Sequence, residues 1–187
     1  MICMERQYHT HLGFTLLEIM VAISVIALLA SMGYVSYQEF NRRQALIGAN
    51  QTFRSNLRDI QSKASSGVKP TSGVCNSPNT LTGYQVSYIN STQYRSEAFC
   101  SAGATGIQVT YTLASGLQFH SSFATFQFRG LGLGLTPAVR VDNIRIRTTG
   151  AVPNAQTHWY SLCIAASGEI KECGYSKGTT VPSCITC

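Results

Sequence analysis

Charge is what this sequence has least of. Only 12% of its 187 residues are Asp, Glu, Lys or Arg, and the acids number just 8. With 44% hydrophobic residues, that excludes an extended disordered chain or a long solvated charged helix. The acids are also too scattered for a paired-carboxylate site. Proline is scarce, 5 in all, and none lies between residues 14 and 69, so nothing there breaks a helix. No Gly-x-Ser-x-Gly occurs. Gly130-Leu131-Gly132-Leu133-Gly134 lacks the Lys and Ser or Thr of a phosphate loop and reads as a flexible or closely packed β connection. Of the histidines beyond the N-terminus, His120 and His158 have no carboxylate at a telling spacing. The expectation is a chain that is not an enzyme and carries neither cofactor nor metal.

What is present is unevenly spread. The net charge of +6 is mildly basic, which permits an acidic partner without requiring one. The length fits one domain with an appendage. Residues 14–35 read FTLLEIMVAISVIALLASMGYV, with Glu18 as the single charge. As a helix this run covers about 33 Å, enough for a bilayer core. A secretory signal peptide would use Ser31-Met32-Gly33 as a small-x-small cleavage site, but a carboxylate inside the apolar region then costs ~2.5–3.5 kcal/mol. A plain membrane anchor explains the length and leaves Glu18 unexplained. Its orientation is not fixed by Arg6 before the run and Arg42 and Arg43 after it.

Gly13-Phe14-Thr15-Leu16-Leu17-Glu18, followed by the unbroken apolar run, resembles the processing site of the type IV prepilin superfamily. The resemblance implies a class III leader over residues 1–13. A prepilin peptidase would cut between Gly13 and Phe14 on the cytoplasmic side and methylate the new amine of Phe14, and the apolar segment would be kept. Glu18 would be the assembly residue, neutralising the N-terminal amine of a neighbouring subunit, since a buried carboxylate needs a partner. The partners implied are other pilins or pseudopilins contacted through the N-terminal helix, the peptidase and an inner-membrane assembly platform. The location implied is the bacterial inner membrane, single-pass with the C-terminal domain in the periplasm, and then a pilus or pseudopilus.

The helical pattern continues beyond the run. Leu46, Asn50, Phe53, Leu57, Ile60 and Ala64 are spaced 4, 3, 4, 3, 4, one face of a helix, with Arg54, Arg58 and Lys63 largely off it. Ser65-Ser66-Gly67 and Pro70 are stop signals. One helix over residues 14–66 is predicted, transmembrane to about 35 and amphipathic after, loosened where Gly33 and Gly48 fall. Residues 67–187 are expected to form a β-rich, disulfide-bonded domain. Alternating runs at Tyr84–Ile89, Ile107–Leu113, Phe119–Phe128, Val139–Arg147 and Trp159–Ala165 predict five to seven antiparallel strands. The fold class is therefore α+β, a long N-terminal helix packed on an antiparallel sheet domain, as in pilins.

Three further stretches resemble the FimT/GspH-like minor pilins and pseudopilins: the helix end from Arg54 to Ala64, Phe126-Gln127-Phe128-Arg129-Gly130, and a late hairpin from Leu162 to Lys171 with Gly168 at its turn. That resemblance implies a minor pilin with a structural role and a part in DNA uptake, adhesion or twitching motility. The alternatives are a GspH-like pseudopilin of a type II secretion system and a DNA-binding pilin for natural transformation. DNA-binding members carry Gly-Arg-x-Arg in the late hairpin. Here the stretch is Gly168-Glu169-Ile170-Lys171, and a carboxylate repels phosphate.

Seven cysteines are many for a reducing compartment. Cys3 falls in the leader, leaving Cys75, Cys100, Cys163, Cys173, Cys184 and Cys187 as disulfide candidates. Cys75 and Cys100 flank the first strand region. Cys163 and Cys173 lie symmetrically about Gly168, and one of the tail cysteines is an alternative mate for either. Cys184-Ile185-Thr186-Cys187 is a lone CxxC with no helix after it to lower a thiol pKa, and a four-cysteine zinc site would have unusual gaps. In Val139–Arg147 the apolar phase flips at Asp142-Asn143, so a bulge or tight turn must restore one apolar face. Arg140, Arg145 and Arg147 then share the other face, either as a solvated surface or, with Lys171, as a contact for DNA or an acidic neighbour.

Overall fold

A computed structural model describes residues 14–71, 74–149 and 157–179, with Pro182 and Cys184. Residues 1–13, the expected leader with Gly13, and Cys187 lie outside the described residues. The chain divides into two compact units, residues 1–41 and 42–187. One helix, α1, runs Leu16–Ser65 for 50 residues, through Gly33 and Gly48 without a break. Its start has a local cause. The Glu18 N–H donates to Thr15 Oγ1 at 3.2 Å, and Thr15-x-x-Glu18 has the capping-box spacing. Its end is equally local. Gly67 N–H donates to Ala64 O at 3.2 Å and Val68 N–H to Lys63 O at 3.1 Å, a Schellman pair that needs the left-handed Gly67, at φ 66°.

In the second unit two antiparallel sheets share one core with the later turns of α1. Nine strands occur among the described residues: β1 Leu81–Asn90, β2 Gln93–Cys100, β3 Gly103–Thr112, β4 Leu117–Phe119, β5 Phe126–Arg129, β6 Leu135–Thr136, β7 Val141–Thr148, β8 His158–Ile164 and β9 Ile170–Lys177. The orders are β3-β2-β1-β5-β6 and β4-β7-β8-β9. Leu46, Asn50, Phe53, Leu57, Ile60 and Ala64 are all exposed by 1% or less. The apolar members join Val86, Tyr94, Phe119, Phe126, Phe128, Ile144, Ile146 and Leu162 in a single cluster. The helix period read from the sequence is thus the packing face.

The sheet departs from expectation in two places. First, β2 has no run of β-branched residues to announce it. It alternates Tyr94, Ser96, Ala98 and Cys100 inward with Arg95 and Glu97. Arg95 donates to Ser87 Oγ and Gln108 Oε1, each at 3.0 Å, and Gln108 donates to Glu97 at 3.0 Å. A polar ladder therefore crosses three strands. Second, Phe119–Phe128 is not one strand. The chain changes sheets there, β4 pairing with β7 and β5 with β1, and Phe123 fills the core between them. With the two-residue β6 and the hairpin strand β9 added, the count among the described residues is nine rather than five to seven. In β7 the register shifts between Val141 and Ile144, and Val141, Ile144 and Ile146 are all buried. A bulge, not a tight turn, absorbs the phase flip.

Candidate functional site

The first unit presents apolar surface. Leu16, Leu17, Ile19, Met20, Ile23 and Ile26 are each at least half exposed, and Phe14 is 77% exposed. Glu18 is exposed among them, in the first turn of α1, where a negative charge favours the helix dipole. A contiguous apolar surface of this kind calls for lipid or protein around it. Among the described residues no helix is long and apolar enough to cross a membrane. The described side chains of the apolar run stop at Ala30, because those of residues 31–35 lie outside the description.

The cysteines fall into two places. Cys75 and Cys100 are bonded, with Cα atoms 5.4 Å apart. Both are buried in a small cluster with Ala98, against Leu81 and Tyr84, and they tie the loop after α1 to the end of β2. Cys173 is bonded to Cys184, Cα to Cα 4.9 Å, so a described residue of the C-terminal tail is fastened to β9. Cys163 is disulfide-bonded as well, to a partner outside the described residues. The Cys163–Cys173 pairing is therefore corrected in favour of the tail. In the hairpin Cys163 faces Lys171, and a register shift between Ser161 and Leu162 leaves Cys173 as the unpaired bulge residue. The sulfurs of Cys163, Cys173 and Cys184 nevertheless lie within 4.8 Å of one another. While all three are held in disulfides they offer no thiolate for a metal.

The arginine strand faces outward as its alternation requires. Arg145 lies opposite Ser161 and Arg147 opposite Trp159. With its amide oxygen turned toward the guanidinium, Gln118 accepts from Arg147 Nε at 2.8 Å and Nη2 at 2.6 Å. The same guanidinium lies 5.9 Å over the Trp159 ring, and His120 meets Trp159 edge-on at 4.8 Å. His120 is held below its ordinary pKa by burial first, then by Arg147 and Arg145. Arg140 precedes β7 and is exposed. Lys171 does not join this face as a free cation, since it pairs with Glu169 at 3.4 Å.

Several positioning residues escaped the sequence reading. Thr15, the helix cap, was legible as Thr-x-x-Glu. The clamp of Arg54 on Glu172, which also accepts from the Tyr160 hydroxyl at 2.9 Å, joins residues 118 apart and has no local signal. Tyr160 is pushed up to about 12, by burial and then by that bond. Arg43 lies 4.9 Å over the ring of Tyr175. The three late stretches singled out above converge. Gln61 Nε2 donates to Gly168 O at 3.0 Å, and a Cβ at Gly168 would lie 3.8 Å from Phe128. Gly134, at φ 83°, presses so closely on Ala166 that a Cβ would sit 2.5 Å from its carbonyl oxygen. The glycine-rich segment is thus close-packed at Gly134, while Gly132 has open space around it and Leu131, at φ 60°, is at the surface.

Residues 9–34 match the family model described as the prokaryotic N-terminal methylation motif. A curated relative, prepilin peptidase-dependent protein D of Escherichia coli (strain K12), is 49% identical over 41 residues, which is 22% of this chain and 28% of that protein. The chain therefore matches well under half of that relative's length. No solved structure matches.

Proposed function

We propose, for a chain whose N-terminus is type IV prepilin-like, that it is a minor subunit of a type IV pilus with a structural role and no enzymatic one. A prepilin peptidase cuts between Gly13 and Phe14, and Phe14 is N-methylated. The chain waits in the bacterial inner membrane as a single-pass protein with its β domain in the periplasm, and an assembly platform then moves it into the fibre. The observation that carries this reading is Glu18, exposed on a continuous apolar helix inside a methylation motif. A carboxylate there is stabilised in an apolar surrounding only by a cation, and the methylated amine of a neighbour supplies one.

The convergence of Gln61, Phe128 and Gly168 favours the FimT/GspH-like branch, so a pseudopilin of type II secretion is the second reading. A role in DNA uptake would rest on Arg145 and Arg147. The Glu169–Lys171 pair speaks against the late hairpin as its site.

The test has two steps. Mass spectrometry of the protein from its native membrane should give a chain beginning at N-methyl-Phe14; a start at Met1 or Tyr34 would sink the proposal. Glu18→Gln and Glu18→Ala then separate capping from charge. Gln still serves at the third helical position of a capping box but cannot neutralise an amine. Both variants should be processed yet be lost from sheared fibres. Normal incorporation of the Gln variant would assign Glu18 to the cap alone.

A further inference from the structure

We propose that the two disulfides at the β8–β9 hairpin form an exchangeable pair. Opening the Cys173–Cys184 bond then leads to a crossed bond between Cys163 and Cys173, which frees the C-terminal tail at Cys184. The argument is geometric. Three sulfurs of two separate disulfides lie within 4.8 Å of one another, so a thiolate released at Cys173 starts beside the Cys163 sulfur. The bulge makes this approach available. Across a regular ladder the diagonal neighbour of a residue stands about 7–8 Å away, beyond the usual ~4.4–6.8 Å span of a disulfide. Cys173, left unpaired between the partners of Leu162 and Ser161, is free of that spacing. Cys163 is buried, and Cys173 and Cys184 are partly exposed. An external reductant therefore reaches the Cys173–Cys184 bond first, and Cys163 is reached from within.

The electron count closes with a dithiol reductant. One of its thiolates attacks Cys184, the Cys173 thiolate leaves, and the second reductant sulfur displaces Cys184 as a thiolate, giving the oxidised cyclic reductant. The Cys173 thiolate then attacks the Cys163 sulfur. The Cys163–Cys173 bond forms, the former partner of Cys163 departs as a thiolate, and no further oxidant is needed. One equivalent of the dithiol thus carries the tail from a fastened state to a released state in which the hairpin is stapled to itself. This inference is independent of the pilus reading, because it concerns the β domain alone.

Trypsin makes the test direct. Cleavage after Lys171 and Lys177 puts Cys163, Cys173 and Cys184 on three different peptides. The unreduced full chain in detergent is treated with less than one equivalent of dithiothreitol. It is then quenched in acid, alkylated and digested without further reduction. The expected product is the peptide ending at Lys171 bonded to Glu172–Lys177 and free of the peptide beginning at Gly178. Cys75–Cys100 should stay intact and serve as the control. Recovery of Cys173 only as an alkylated thiol, or crossed bonds that reach Cys75 or Cys100 equally, would overturn the proposal. In a Cys184→Ala chain the same crossed peptide pair should form without any reductant. Should that variant fail to fold, the experiment on the unaltered chain still decides.

Discussion

At Glu18 two physical demands meet on one side chain. Thr15 and Glu18 open the helix, with the backbone N–H of Glu18 held by the Thr15 hydroxyl, and a negative charge in the first turn suits the exposed N–H groups there. In an apolar environment the same charge needs a cation, so on the reading proposed above helix start and subunit registration would be set within one turn. His120 offers the opposite case, a side chain whose charge is disfavoured where it sits. Burial and the two arginines lower its pKa from 6.5. A depressed histidine pKa means that protonation opposes folding. Its contribution is neutral above the unfolded value near 6.5, and stability falls as the pH drops from there through the folded value. In an NMR titration His120 should titrate below 6.5, and Arg147→Gln should move it upward by removing the nearest positive charge. A value that stays put in the variant would leave burial and Arg145 as the causes.

Among the elements, α1 was the most legible, because its determinants are local or periodic. The spacing from Leu46 to Ala64 needs only the 3.6-residue repeat, and Gly67 marks the stop by its conformation alone. Phe53 shows what the face is worth. It meets Tyr94 edge-on at 4.8 Å and Phe119 at 5.7 Å, so Phe53→Ala should lower unfolding free energy by about 3–5 kcal/mol. Exposed Arg58→Ala, one turn away, should change it by less than about 0.5 kcal/mol. Denaturant melts of the two variants side by side check both, and equal effects would mean that the stripe is not the packing face. The β elements were less legible for a definite reason. A phase flip within one strand is visible, so the bulge at Asp142-Asn143 could be anticipated. The bulge at Cys173 sits where no alternation is broken, since Glu172 pairs with Arg54 at the partly exposed edge of the domain and leaves no apolar mark. The mate of Cys173 was hidden by that same displacement. Strand β2 was hidden because, Tyr94 apart, its inward residues are small or polar, and the change of sheet at His120–Ala124 lies inside one alternating run.

For the molecule as a whole, the division at residues 41 and 42 separates what needs an apolar partner from what folds on its own core. Every member of the main cluster lies at Leu46 or beyond, and the described cysteines lie in the second unit. Removing the first unit therefore takes away exposed apolar side chains and no member of that cluster. What it does take is the Thr15 cap, and the new helix end decides the outcome. A chain beginning at Asn41 keeps an amide side chain able to cap the N–H groups of the following turn. A chain beginning at Arg42 has a terminal amine and the same two arginines, Arg42 and Arg43, at the positive end of the helix dipole, without that cap. Both fragments should be soluble without detergent and melt cooperatively, with the Asn41 form about 1 kcal/mol the more stable. Thermal melts at low and high salt distinguish the causes. Added salt should stabilise both fragments by screening the amine and the arginines and leave the gap between them, which is the contribution of the cap. Should both fragments instead unfold or demand detergent, the first unit would be a structural part of the β domain rather than the segment that carries it into a membrane or fibre.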